Sequence, residues 1–113
     1  MEFRLNIITI YVEGARGDAP CHISDQFITT DYWKEALYDE IRHELFMYPD
    51  FDKIYYGNHS ITCEDARQCK NYDELADKFD IARAMKMDRV VHEFTVFSSK
   101  DPAYKRHIRI QRA

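Results

Sequence analysis

Polar and apolar residues alternate near the N-terminus, a pattern typical of β-strands. In residues 3–12 (FRLNIITIYV) both faces of the extended segment carry apolar side chains, which predicts a central strand covered on both sides. Residues 13–20 (EGARGDAP) hold two glycines, an aspartate and a proline, and therefore predict a loop. Residues 21–29 predict an edge strand.

A second alternating region lies at the C-terminus. Residues 90–97 and 104–111 predict two strands, separated by a polar loop at residues 98–103 that contains Asp-Pro. In the last strand Ile108 and Ile110 fall on one side, and His107, Arg109 and Gln111 on the other. These two strands are predicted to form a hairpin.

A long helical pattern lies between these regions. Thr30 or Asp31 begins the predicted helix, because either side chain can accept a hydrogen bond from the first-turn amides. Pro49 ends it near residue 48. Its apolar stripe consists of Trp33, Ala36, Leu37, Ile41, Leu45 and Tyr48.

Shorter signals fill the region after this helix. Gly57-Asn58 separates two β-prone pieces and predicts a type I′ or II′ hairpin. Residues 64–70 are compatible with a helical turn. Asn71 and Glu74 form a start that resembles a capping box, and the helix that follows is predicted to end around Met87.

The order of elements predicts an α+β fold. Without the edge strand and the final strand, the order is βαββαβ, that of a ferredoxin-like sandwich. We therefore expect a small two-layer sandwich, with two helices on one face of a mostly antiparallel sheet and an extra C-terminal strand. The length of 113 residues suits a single domain, residues 1–113.

Composition indicates a folded intracellular chain. The hydrophobic fraction is 45% and the charged fraction 32%, which excludes the class of disordered proteins. The chain begins without the apolar run of a signal peptide, and no apolar stretch is long enough for a membrane span. Three cysteines are an odd number, so we expect reduced thiols and a cytoplasmic location.

Charge is unevenly distributed along the chain. The net charge is −4, which argues against a general nucleic-acid binder. Residues 1–80 hold 17 acidic and 8 basic side chains, whereas residues 81–113 hold 3 acidic and 8 basic ones. The two ends of the chain therefore differ in the partners they suit.

Acidic residues form two ridges on the long predicted helix. Asp31, Glu35 and Asp39 are four residues apart, and Glu40 and Glu44 form a neighbouring pair with the same spacing. Such ridges attract a basic partner, so these five residues are the predicted partner-binding site. The alternative is a solvated face that keeps the protein soluble.

Basic residues gather in the last predicted strand. Arginine and lysine on a sheet hold phosphates, and a neighbouring aromatic ring stacks on a base. A possible nucleic-acid site therefore consists of Tyr104, Lys105, Arg106, Arg109 and Arg112. The alternative is an edge strand whose charges prevent aggregation.

Catalytic and metal signals are weak in this sequence. Cys63 and Cys69 are six residues apart, which is not the close pairing of zinc ligands, and neither Cys21-His22 nor His59 completes such a pair. Glu40 and His43 form a single E-x-x-H, where a di-iron bundle needs two. A cysteine dyad with His59 or His92 has no supporting context. We expect no metal and no cofactor.

These observations favour a small acidic, non-enzymatic protein-binding module. By composition the chain is typical of phage or mobile-element accessory proteins, and it would block a basic surface on a nucleic-acid-handling partner, as an anti-defence inhibitor does. One alternative is a small enzyme or ligand-binding domain with a pocket lined by Tyr55, His59, His92 and Tyr104. A second alternative is nucleic-acid binding by the C-terminal hairpin. A homodimer through a free edge strand is also compatible with the sequence.

Overall fold

The fold is seen in a computed structural model that describes residues 5–14, 17–29, 32–80 and 91–112. Six strands lie in the described residues: β1 (Leu5–Gly14), β2 (Gly17–Thr29), β3 (Lys53–Tyr56), β4 (His59–Thr62), β5 (Val91–Ser98) and β6 (Asp101–Arg112). The helices found there are α1 (Trp33–Met47), α2 (Cys63–Gln68) and α3 (Tyr72–Phe79). None of these helices is long and apolar enough to cross a membrane.

The strands form one sheet in the order β2-β1-β6-β5-β3-β4. All five pairings between the described strands are antiparallel, which confirms the predicted α+β class and the antiparallel sheet. The ferredoxin-like order is wrong. The prediction treats β2 and β6 as additions to the ferredoxin-like order, but they are the two longest strands of the described residues. β6 lies in the middle of the sheet, between β1 and β5.

The order differs because the two predicted loops are tighter than expected. β2 begins at Gly17, so most of residues 13–20 belongs to a long hairpin with β1. β6 begins at Asp101, directly after a turn at residues 99 and 100. Two long hairpins at the chain ends then pair with each other through β1 and β6. β2 stays at the sheet edge, as predicted.

Glycine is required at two of these turns. Gly57 has φ +57°, as expected for the Gly57-Asn58 hairpin, which joins β3 to β4 as predicted. Gly14 has φ +91° and lies against the backbone of Ala103, so a Cβ at this position would collide with the Ala103 carbonyl. The end of β1 can therefore approach the start of β6 only without a side chain.

Helix ends follow local signals in part. Asn71 caps α3 as predicted, with its side-chain oxygen accepting a hydrogen bond from the Glu74 amide at 2.9 Å. α3 ends at Phe79 instead of Met87, where Asp80 takes the left-handed conformation at φ +59°. Residues 81–90 lie outside the described part of the chain. So do Thr30 and Asp31, and α1 instead begins after Tyr32 without a side-chain cap.

The hydrophobic core lies between the helices and one face of the sheet. Alternation along β1, β5 and β6 brings every second side chain to this face, which we call the helix face. Its most deeply buried apolar side chains are Ile8, Leu37, Ile41, Ile54, Leu75, Phe94, Val96, Ile108 and Ile110. The other face, which we call the open face, carries mostly half-buried polar and aromatic side chains. The helices of the described residues therefore cover β1 on one side, whereas the sequence predicted cover on both sides.

Candidate functional site

The outer surface of α1 carries the exposed part of the predicted acidic site. Glu35 and Asp39 are exposed, and helical spacing puts Arg42 and Phe46 on the same stripe. Phe46 is 80% exposed, more than any other large apolar side chain in the described residues. The stripe therefore combines acidic side chains with an uncovered aromatic ring, an arrangement that the spacing of acids alone did not indicate.

Two residues of the predicted sites are buried against each other. Glu44 was assigned to the acidic ridge and Arg106 to the basic hairpin, but both lie in the core between α1 and β6. Arg106 Nε donates to Glu44 Oε2 at 2.5 Å, and a second guanidinium nitrogen donates to the Tyr104 hydroxyl at 3.1 Å. The guanidinium also lies over the Tyr48 ring, 4.2 Å from its centroid. Neither charge is available to a partner.

The environment of Arg106 favours its charged guanidinium. Burial opposes the charged guanidinium, but the hydrogen bonds to Glu44 and Tyr104 outweigh it and raise the pKa of Arg106 above its ordinary value. The pair thus anchors α1 to the middle of the sheet. It has a structural role where the sequence predicted two binding roles.

The remaining members of the acidic site are divided. Glu40 is half-buried beside exposed His43, and burial raises the pKa of the Glu40 carboxyl. Asp31 lies outside the described residues. Of the predicted acidic site, the exposed part among the described residues is therefore Glu35 and Asp39. Other exposed acids lie on α2 and α3, namely Glu64, Asp73, Glu74 and Asp77.

A cleft of about 190 Å³ opens between the three helices next to Phe46. Its walls are mostly apolar and consist of Tyr38, Ile41, Arg42, Leu45, Phe46, Ala66, Arg67 and Leu75. Arg67 donates to the backbone carbonyls of Leu45 and Phe51, at 3.3 and 3.1 Å, which ties α2 to the end of α1. The cleft is therefore a preformed apolar depression at the end of the acidic stripe.

The open face has a polar centre at His107 that the sequence did not reveal. Its Nε2 lies 2.9 Å from Glu13 Oε1 and its Nδ1 lies 3.1 Å from Glu93 Oε1. The Tyr11 ring stacks on the imidazole at 4.5 Å, and the Tyr11 hydroxyl donates to Glu93 at 2.8 Å. His107 is 7% exposed, and its described side-chain contacts come from other strands of the sheet, namely Tyr11, Glu13, Glu93 and Thr95. Alternation separated His107 from Ile108 and Ile110, but its contact with Tyr11 depends on the β1–β6 register.

Two carboxylates favour the charged imidazole. Burial lowers the pKa of His107, but the hydrogen bonds that the imidazole donates to Glu93 and Glu13 outweigh that effect, and the pKa is raised. Reciprocally, the hydrogen bond to His107 lowers the pKa of the Glu93 carboxyl. Burial and the bond to Glu93 raise the pKa of the Tyr11 hydroxyl to about 12. The cluster thus joins one imidazole to two glutamate side chains.

The predicted basic site is split between the faces of the sheet. Lys105 and Arg109 lie on the open face, where they are half-buried. Tyr104 and Arg106 lie on the helix face, because adjacent strand residues point in opposite directions. Arg112 ends β6, and its side chain lies outside the described part. The five residues therefore do not form one surface.

The predicted tyrosine–histidine pocket is not assembled by the described residues. Tyr55 lies on the open face, and His59 is exposed in the β3–β4 hairpin. His92 is buried on the helix face, where its Nδ1 lies 2.7 Å from the Tyr56 hydroxyl and its ring stacks on Trp33. Tyr104 lies on the same face, twelve residues further along the chain and at the opposite end of the β5–β6 hairpin.

The thiols are separated and mostly buried. Cys21 is exposed on β2, whereas Cys63 and Cys69 lie in the core, and all three are free. Burial raises the pKa of Cys63 to about 11 and also raises that of Cys69, so both stay protonated at neutral pH. Within the described ranges, no three histidine, cysteine, aspartate or glutamate side chains gather as metal ligands.

Comparison with known proteins adds no family to this picture. No family model matches the chain, no curated protein is similar to it, and no solved structure matches its fold.

Proposed function

We propose that this protein is a non-enzymatic protein-binding module that covers a basic surface on a larger, nucleic-acid-handling partner. The contact surface is the outer side of α1, from Glu35 and Asp39 to Phe46, together with the adjoining interhelical cleft. The action is steric, as in an inhibitor of the anti-defence type that a phage or mobile element carries.

The observation that carries this proposal is the exposure of Phe46. An aromatic side chain that is 80% exposed costs hydration free energy unless a partner covers it. Aromatic anchors at the edge of a preformed pocket are typical hot spots of protein interfaces. Phe46 stands beside such a depression, and the half-exposed Met47 follows it.

Charge supports a basic partner. Glu35 and Asp39 lie on the same stripe as Phe46, and neither forms an ion pair with another described residue. Exposed acids of this kind raise the association rate with a basic surface and lose that effect in salt. Arg42 interrupts the stripe, so we expect local charge complementarity rather than mimicry of a nucleic acid.

The small-enzyme alternative has less support. The four residues of its predicted pocket lie in different parts of the fold, and the buried thiols have raised pKa values that disfavour a nucleophile. Nucleic-acid binding through the predicted C-terminal site also has less support, because, of its members with described side chains, Lys105 and Arg109 lie on one face of the sheet and Tyr104 and Arg106 on the other. The predicted homodimer through a free edge strand remains a proposal, and sedimentation of the purified protein tests it.

The test compares partner capture by the wild type and two surface variants. Tagged protein is incubated with lysate of its native host, and captured proteins are quantified by mass spectrometry. We expect one stoichiometric partner, lost at least tenfold in Phe46→Ser and in Glu35→Lys/Asp39→Lys, with the latter effect smaller at high salt. A binding isotherm with that partner then gives Kd for each variant.

Asp73→Lys/Asp77→Lys is the matched control, because these exposed acids of α3 have the same spacing and the same change of charge. We expect it to retain the partner. If the control lost the partner to the same extent, the binding site would not be on α1. The proposal would be contradicted if Phe46→Ser captured as much partner as the wild type, or if the wild type captured no stoichiometric partner.

A further inference from the structure

A compact aromatic and basic patch lies on the open face, on the side of the sheet away from Phe46. In the strand register Phe97 of β5 lies between Lys105 of β6 and Lys53 of β3. Tyr55 stacks on Phe97 with ring centroids 5.4 Å apart and planes within 10°. Lys105 Nζ is 5.8 Å from the Phe97 centroid. We call Lys53, Tyr55, Phe97 and Lys105 the aromatic–basic patch.

A second ring with a cation lies further across the same face. The Arg109 guanidinium is 5.5 Å from the centroid of Tyr11, which itself stacks on His107. Tyr11 and Tyr55 lie in one cross-strand row, through His107 and Thr95, and are three strands apart. At the usual strand spacing this is about 14 Å. Rings with adjacent cations therefore recur across the sheet at a separation that several nucleotides span.

The acids of this region offset those cations only in part, although Glu13 lies opposite Lys105 and Glu93 lies opposite Arg109 in the strand register. Glu13 and Glu93 are engaged by His107, and Glu93 also accepts from Tyr11. Lys53, Lys105 and Arg109 form no ion pair with another described residue. Arg109 Nε is buried and has no hydrogen-bond acceptor among the described residues. The face thus presents one buried donor without an acceptor among the described residues and three cations outside ion pairs, on a protein whose net charge is −4.

We propose that the open face binds single-stranded nucleic acid. Bases stack on Tyr55, Phe97 and Tyr11, and phosphates are held by Lys53, Lys105 and Arg109. Base stacking on aromatic rings with cations beside the backbone is how sequence-tolerant single-strand binders work. In a duplex the base faces are hidden, so the rings favour unpaired strands.

The patch is distinct from the predicted hairpin site. It adds Lys53, Tyr55 and Phe97 from other parts of the chain, and it excludes Tyr104 and Arg106. It is also independent of the protein-binding surface on α1, since the two lie on opposite layers of the molecule.

Fluorescence anisotropy with labelled oligonucleotides tests the proposal. The probes are a mixed-sequence 12-nucleotide DNA, the RNA of the same sequence, and the DNA duplex, each titrated between 50 and 200 mM NaCl. We expect saturable binding of a single strand, tighter than that of the duplex. Three phosphate contacts predict a slope of about −2 for log K against log salt concentration. A preference for DNA or RNA identifies the natural strand, and either preference supports the site.

Variants separate stacking from charge. Tyr55→Leu/Phe97→Leu keeps apolar volume but removes the rings, and we expect affinity to fall by roughly tenfold or more with an unchanged salt slope. Lys53→Gln/Lys105→Gln should reduce the magnitude of the slope by about 1.4. Lys34→Gln/Lys78→Gln on the exposed helices is the control with the same loss of charge, and we expect no change.

Several results would overturn this inference. One is that no saturable binding occurs at 50 mM NaCl. Another is that Tyr55→Leu/Phe97→Leu leaves the affinity unchanged, and a third is that the duplex binds as tightly as the single strand. Sedimentation is measured in parallel. A dimer that dissociates on Tyr55→Leu/Phe97→Leu would assign the patch to a second copy of this chain instead.

Discussion

Arg106 and His107 are neighbours in β6, yet they are buried on opposite faces of the sheet and in different ways. Arg106 is covered by α1 and pairs with one carboxylate, that of Glu44. His107 packs against Tyr11 of the neighbouring strand, with Glu13 next to its Nε2 and with Glu93 and Thr95 next to its Nδ1. The helix face thus seals a permanent charge inside the core, whereas the open face holds a charge that depends on pH.

The largest expected effect comes from breaking the sealed pair. Arg106→Met leaves the Glu44 carboxylate buried without its partner, and we expect a loss of about 3–5 kcal/mol in the free energy of unfolding. The double variant Glu44→Met/Arg106→Met should recover most of this loss, because two apolar side chains replace the ions. Urea unfolding at neutral pH measures both.

Lys105→Met is the control for the adjacent open-face position, with an expected change within about 0.5 kcal/mol. If Arg106→Met were as mild as this control, or if the double variant were less stable than Arg106→Met, the ion pair would not anchor α1 as inferred.

A smaller and pH-dependent effect is expected at His107. Its folded pKa lies above the ordinary value of 6.5, so its contribution is fully present below about pH 6.5 and is lost as pH rises through the folded pKa. Glu93 behaves oppositely, because its lowered pKa adds stability above its ordinary value of 4.5 that is lost as pH falls through its folded pKa. The cluster therefore stabilises most between about pH 4.5 and 6.5.

The variant His107→Gln tests this window. At pH 5.5 we expect it to be about 1–3 kcal/mol less stable than the wild type, with the difference shrinking above pH 7. Exposed His43→Gln should follow the wild-type curve. A constant difference from pH 5 to 9 would show that the imidazole is buried as a neutral group.

The smallest effect concerns the cysteines. Their labelling rates compare the exposed thiol of Cys21 with the buried thiols of Cys63 and Cys69. At pH 8 we expect iodoacetamide to label Cys21 first. Raising the pKa of Cys63 from 9.0 to about 11 lowers its thiolate fraction by about 100-fold. Intact mass against time should show one fast addition, absent in Cys21→Ser, and three additions in denaturant. Three fast additions in the native protein would mean that the helices do not seal this face.

Features that depend on neighbouring residues were predictable from the sequence. The Gly57-Asn58 hairpin and the Asn71 cap rest on residues three or fewer positions apart, and both formed. The alternation of Ile108 and Ile110 with His107 and Arg109 also held, because the side-chain period of a strand is intrinsic to its backbone. The α+β class followed from these local periods.

The tertiary structure alone decided which residues meet. Glu44 and Arg106 are 62 positions apart, and Glu13 and His107 are 94 positions apart. The strand order, with β6 inserted between β1 and β5, brings together charges that the sequence had assigned to separate binding surfaces. Local periodicity tells which face of an element a side chain occupies. The partner across that face is set by strand order and register, which depend on the burial of the whole chain.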